Sequence, residues 1–159
     1  MAAKPDLDAL DRKILRLLVA DGRASYQSVA DEVGLSRPAV MERVKRLEER
    51  GLIKGYGAQL NRPKAGFPVT AFVAVRYGSP EYVGDEPRMR QMEQHPGVLE
   101  CHHVAGDDCY ILKVVAPDLE GVQTILRDLV GTQQGINTRT TIVLSTLFEK
   151  AGVSLPELD

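Results

Sequence analysis

Apolar positions in the first third of the chain recur at three- and four-residue steps. In the second half they alternate. Leu7, Leu10, Ile14, Leu17 and Leu18 predict an amphipathic helix over Leu7–Val19. Asp6, Asp8 and Asp11 lie near its N-terminal end, where negative charge is favourable, and Asp21-Gly22 ends it. Val29, Ala30 and Val33 share one face of a second helix, which Ser25 caps and Gly34 stops, since glycine takes the left-handed conformation past a helix end without steric cost. Ser36 is an N-cap for a third helix, Pro38 falls in its first turn, and Val40, Val44 and Leu47 form its apolar stripe up to Gly51. Tyr26 to Arg50 therefore reads as two short helices joined by a tight turn, with Leu35 plugging the corner. The first helix covers their back.

Leu52–Leu60 predicts two very short strands around a glycine turn, a small wing. Asn61–Gly66 holds Pro, Gly and two cations and marks a boundary, giving a domain over 1–60, a linker over 61–68 and a second domain over 69–159. Val69–Tyr77 alternates and is β-branched and aromatic, which predicts a strand. Glu81–His95 is moderately helical, Val98–Val104 and Cys109–Ala116 are strands joined at Gly106-Asp107-Asp108, Asp118 caps a helix over Leu119–Val130, and Ile136–Phe148 is a long strand. Residues 1–6 and those from Glu149 onward read as loose tails. The order βαββαβ implies an α+β, ferredoxin-like split sandwich: one antiparallel sheet with both helices on one face. The other face, built from Val69, Ala71, Val73 and Val75 or from their alternates, must be buried against something.

Composition narrows the function. Hydrophobic content of 43% and charged content of 26% are those of a soluble globular chain. No apolar run is long enough to span a membrane, and the N-terminus lacks the apolar core of a signal peptide. Cys101 and Cys109 do not make a disulfide framework, so a reduced, cytoplasmic setting is expected. The net charge of −2 does not suit a generic nucleic-acid coat, but its distribution is uneven. Arg37 to Lys54 carries six basic residues against three acidic ones, which suits a reader that meets double-stranded DNA through one face.

The third helix has the form that major-groove reading requires, with an apolar back and a polar, partly basic front. Ser36 and Pro38 open it. Arg37, Met41, Glu42 and Lys45 can reach base edges, whereas Arg43, Arg46, Arg50 and Lys54 bind phosphates or pair with Glu48 and Glu49. The alternative is a metabolite-binding module whose N-terminal helices make protein–protein contacts. Cys101, His102, His103 and Cys109 lack metal-ligand spacing, and strand alternation separates His102 from the other two strand residues, so no metal is expected. No nucleophile elbow, P-loop, HExxH or GxGxxG occurs, so neither an enzyme nor a cofactor is expected. Gly106-Asp107-Asp108 taken alone suits a plain hairpin turn.

Six motifs in order carry a family resemblance: LDRKIL (Leu10–Leu15), DGR (Asp21–Arg23), EVGLS (Glu32–Ser36), ERVKRLEERGLIKGY (Glu42–Tyr56), ECHHVAGDDCY (Glu100–Tyr110) and NTRT (Asn137–Thr140). In this order the chain resembles the leucine-responsive and asparagine-synthesis regulators, the Lrp/AsnC family, from about Leu7 to Phe148. The resemblance implies a winged helix-turn-helix followed by a domain of the kind that regulates amino-acid metabolism, the RAM domain. It implies dimers made through the sheet, octamers or related assemblies, and a small effector, usually an amino acid, in a cleft between dimers near a Gly-Asp-x-Asp-Tyr-like loop. On this chain the cleft would be lined by Val104, Ala105, Gly106, Asp107, Asp108 and Tyr110, with Thr138 and Thr140 from the last strand. Cys109 stands where that pattern has its second Asp. A neutral thiol cannot offset an ammonium, so the ligand preference is expected to differ.

Overall fold

A computed structural model describes residues 7–78, 86–131, 135–150 and 152–153. The expected tail at 1–6, the start of the helix expected from Glu81 and most of the C-terminal tail lie outside the described residues. The chain divides into two compact units, Met1–Gln59 with Phe148–Asp159, and Leu60–Leu147.

The first unit is built from α1 (Ala9–Ala20), α2 (Tyr26–Val33) and α3 (Arg37–Glu49). α1 begins two residues later than its apolar pattern, because Asp8 is the N-cap and its carboxylate accepts from the Asp11 amide at 2.7 Å. Ser25 caps α2 through the Ser28 amide at 3.0 Å, and Ser36 caps α3 through the Ala39 amide at 3.4 Å. Gly34 ends α2 with φ of +74°, and the amides of Gly34 and Leu35 both donate to the Ala30 carbonyl. This is the tight corner between the helices. Ile14, Leu15, Val29, Ala30, Val40, Val44 and Leu47 meet in one core.

The two short strands expected over Leu52–Leu60 do not form. The amides of Leu52 and Ile53 donate to the Leu47 carbonyl, closing the end of α3. They are therefore not available to a ladder, and residues 54–60 follow as irregular chain. The side chains of Leu52 and Ile53 pack against the helical core. Asn61 to Phe67 is a hydrogen-bonded turn, in which the Ala65 amide donates to the Asn61 carbonyl and the Phe67 amide to that of Arg62.

The second unit runs β1 (Val69–Tyr77), α4 (Glu86–Gln94), β2 (Val98–His103), β3 (Tyr110–Ala116), α5 (Leu119–Val130) and β4 (Ile136–Ile142). The sheet order is β2-β3-β1-β4, and every neighbouring pair is antiparallel. Ala71, Val73, Val75 and Tyr77 of β1 share a face with Tyr110, Leu112, Val114 and Ala116 of β3 and pack under Met92, Val122, Ile125 and Leu129. That settles which alternates are uncovered by helices: Thr70, Phe72, Ala74 and Arg76. Phe72 remains 42% exposed.

β4 stops at Ile142, six residues before the expected end at Phe148. Among the described residues its only neighbour is β1. The Val143 amide donates to the Thr70 carbonyl, one residue from the start of that strand, and among the described residues the ladder has no partner beyond it. Leu144 is consequently 98% exposed. β2 and β3 are each one residue shorter than expected at the hairpin end. There the Val104 amide donates to the Cys109 carbonyl and the Cys109 amide to that of Val75.

Candidate nucleic-acid interface and effector site

α3 presents its front by virtue of what holds its back. Val40 and Val44 are fully buried and Leu47 nearly so, which turns Pro38, Glu42, Lys45 and Glu49 to the opposite side. Arg37, Met41, Glu42 and Lys45, the residues expected at base edges, are all exposed. Lys45 pairs with Glu49 one turn on at 3.7 Å, an exposed pair that yields readily to a phosphate. Arg50 and Lys54 are exposed at and beyond the helix end. Tyr56 donates to Glu48 at 3.0 Å, and burial first, then Glu48, pushes its phenol up to about 12. It is thus a protonated donor throughout the physiological range.

Arg43 differs from the other cations. Its Nη1 donates to Asp8 Oδ2 and Asp11 Oδ1, each at 2.6 Å, and its side chain is only 23% exposed. The hydrogen bonds it donates to Asp8 and then to Asp11 hold its pKa above the usual arginine value. Burial pushes the Asp8 carboxyl up, but the Asp11 amide and the Arg43 guanidinium outweigh this and hold it below the usual carboxylate range. Arg46 Nη2 lies 3.9 Å from the same Asp11 carboxylate. Sequence reasoning saw Asp8 and Asp11 only as charges favourable at a helix N-terminus. Their pairing with a residue more than 30 positions away left no local signal.

In the second unit the loop 104–109 reaches the edge of β4. Asp108 Oδ2 accepts from Arg139 Nη2 at 2.9 Å. Asp107 is exposed, and Gly106 has φ of +140°. Tyr110 pairs with Val75, which pairs on its other side with Thr138, so Tyr110 and Thr138 lie on the same sheet face two strands apart. Thr140 follows on that face opposite Val73. Of the expected effector residues, Val104, Ala105, Gly106, Asp107 and Asp108 share one loop, whose Asp108 meets Arg139 on the face opposite Thr138 and Thr140, while Tyr110 is buried in the core under the helices. Arg139 was missed by sequence reasoning, which looked for acceptors and hydroxyls and not for a cation beside the loop. Cys109 packs half-buried against the core.

A cavity of about 440 Å³ opens between α4 and β2, lined by Met89, Glu93, Val98, Cys101, His103 and Tyr110 among others. Cys101 and His103 stand opposite Leu112 and Tyr110 on the helix-covered face, while His102 stands opposite Ile111 on the other, where it meets Glu100 at 3.2 Å. His102, and then Lys113, hold the Glu100 carboxyl below its usual range. Partial burial pushes the Cys101 thiol up.

A Ser-capped, partly basic third helix held from behind by two others, ahead of a separate βαββαβ unit, defines a helix-turn-helix protein with a second α+β domain. Comparison with known proteins carries this further. Residues 7–48 match the AsnC-type helix-turn-helix domain and residues 70–153 the Lrp/AsnC ligand binding domain. The chain is 38% identical over 143 residues to the HTH-type transcriptional regulator LrpA of Mycobacterium tuberculosis, covering 89% of this chain and 93% of that one. It is 36% identical over 143 residues to the leucine-responsive regulatory protein of Escherichia coli, covering 87% and 85%. Among solved structures it resembles the feast or famine regulatory protein of Mycobacterium tuberculosis complexed with L-methionine, with a TM-score of 0.84, 34% identity and coverage of 93% and 99%. The chain belongs to the Lrp/AsnC family of transcription regulators. Among the described residues, no helix is long and apolar enough to cross a membrane.

Proposed function

We propose that this chain is a sequence-specific regulator that reads double-stranded DNA with the front of α3 and responds to an amino acid. One observation carries the DNA reading: α3 buries Val40, Val44 and Leu47 while leaving Arg37, Met41 and Lys45 exposed behind a Ser36 cap. In this reading Ser36 and Pro38 set the helix start near the backbone, Arg37, Met41, Glu42 and Lys45 face base edges, and Arg46, Arg50 and Lys54 meet phosphates. Arg43 supports the interface from behind. The domains are residues 1–60 and 69–159, joined by 61–68; the break in compactness between Gln59 and Leu60 supports the first boundary, whereas Phe148–Asp159 group with the first unit. The protein acts in the cytoplasm and catalyses no reaction.

Binding to two half-sites needs a pair of helix-turn-helix units. The face of the sheet free of helices, with Phe72, Ala74 and Ile111, supports a dimer, and dimers assemble further, up to an octamer. The effector lies between dimers, against Val104–Asp108, Tyr110, Thr138 and Thr140. The L-methionine bound to the Mycobacterium relative supports an amino acid as its class. The experiment has two arms. A gel-shift with the chain's own upstream DNA tests the reader, and failure to bind any duplex leaves the N-terminal helices to protein contacts. A thermal-shift screen against the amino acids tests the effector, since a ligand at 100 times its Kd stabilises by about 2.7 kcal/mol.

A further inference from the structure

The buried Asp11 carboxylate has a use that the DNA reading leaves unexplained. Its side chain is 4% exposed, at the contact between α1 and α3. It accepts from Arg43 Nη1 at 2.6 Å and lies 3.9 Å from Arg46 Nη2. Asp8 accepts from the same Arg43 nitrogen with one oxygen while its other oxygen caps α1. The end of α1 therefore grips the flank of the recognition helix through a directional, charge-assisted pair. The apolar ridge of Val40, Val44 and Leu47 cannot do this. Hydrophobic contact is non-directional, so it holds α3 against α1 and α2 but leaves small rotations cheap. A rotation of about 10° moves a side chain roughly 6 Å from the helix axis by roughly 1 Å, enough to misplace a base contact.

We propose that Asp11, together with Asp8, is a positioning residue for DNA reading, which sets the rotation of α3 through Arg43 and holds Arg46 on the same flank to meet a phosphate. The proposal rests on the DNA-binding reading of α3. It makes a prediction opposite in sign to simple electrostatics. Removing a carboxylate near a polyanion should tighten binding if charge alone matters. Removing a positioning residue should weaken binding to the preferred sequence and leave sequence-independent binding intact.

The test uses the full chain and two duplexes: the sequence that the wild type enriches from a random pool, and a shuffled duplex of the same composition. Asp11→Asn is expected to bind the enriched duplex at least tenfold more weakly and the shuffled one within about twofold of wild type, so the ratio of the two affinities falls about tenfold or more. Arg43→Met is expected to act likewise. The double variant Asp11→Asn/Arg43→Met should lose no more than the worse single change, because the two residues act as one unit. Circular dichroism at the assay temperature checks the fold. Should either single variant unfold, the double variant leaves no buried charge unpaired and carries the same measurement. Asp11→Asn binding the enriched duplex as tightly as wild type or tighter would overturn the proposal. So would an equal loss on both duplexes, or single losses that multiply in the double variant. If the wild type enriches no sequence at all, the DNA reading fails first and takes the proposal with it.

Discussion

Asp8 serves as N-cap and as ion-pair partner at once, and the two roles separate by substitution. Asn caps a helix about as well as Asp, so Asp8→Asn keeps the bond to the Asp11 amide and removes the charge that Arg43 meets. Asp8 is about half exposed, so the expected loss at pH 7 is at most about 1 kcal/mol. Folding lowers this carboxyl's pKa from its ordinary 3.8. Its contribution is therefore present above that value and lost as the pH falls through the lower folded one. Melting curves of wild type and Asp8→Asn should differ at pH 7 and converge in acid, once the pH has fallen through the lowered folded value. A difference that persists in acid would mean that the charge is not what stabilises. Gly34 offers a second residue-scale check. At φ of +74° a side chain is strained, so Gly34→Ala should destabilise the helix unit by about 1–2 kcal/mol, read by urea unfolding.

At the scale of elements, the helices that carry their own punctuation were legible. α2, α3 and α5 have the boundaries that Ser25, Gly34, Ser36 and Asp118 imply, because a cap and a period-3.6 stripe are both local. β1 was equally clear. The wing strands and the end of β4 were not, since a strand exists only where another strand accepts its hydrogen bonds, and β propensity cannot supply that partner. α3 makes the sharpest prediction at this scale. Arg46→Ala should weaken binding to all duplexes alike and shallow the dependence of affinity on salt by about one ion, whereas Lys45→Ala should relax preference at one base position. Titrations at several salt concentrations on the enriched and shuffled duplexes separate the two. Unchanged affinity in both variants would remove α3 from the DNA interface.

For the whole molecule, the sheet face and the effector loop set the outcomes. Ala74 lies on the face without helices, between Ile111 and Arg139. Ala74→Lys places a cation beside Arg139 and should dissociate the proposed dimer to monomers by light scattering, because a buried unpaired charge is costly. A variant of wild-type mass would exclude this face as the dimer contact. At the loop, Asp108 is engaged by Arg139, so in the proposed effector site Asp107 is the acceptor left for an ammonium. Cys109→Asp should tighten amino-acid binding about tenfold by calorimetry, the effect of about 1.4 kcal/mol of added charge attraction. Tight binding by the wild type that Cys109→Asp abolishes would show that the missing carboxylate is no deficit.

Sequence alone determined the helix caps, the apolar stripes, the βαββαβ order and, through six ordered motifs, the family. These are local patterns or their succession along the chain, and neither depends on a distant partner. Tertiary structure decided what each face does. It turned Ala71, Val73 and Val75 under the helices and left Phe72 and Ala74 without a helix over them, because α4 and α5 pack on only one face of the sheet. It also drew Arg43 out of the row of basic residues and onto Asp8 and Asp11, although along the chain it is indistinguishable from its basic neighbours. An ion pair depends on distance in space, and only packing of the Ile14, Val44 and Leu47 core brings those charges within 2.6 Å.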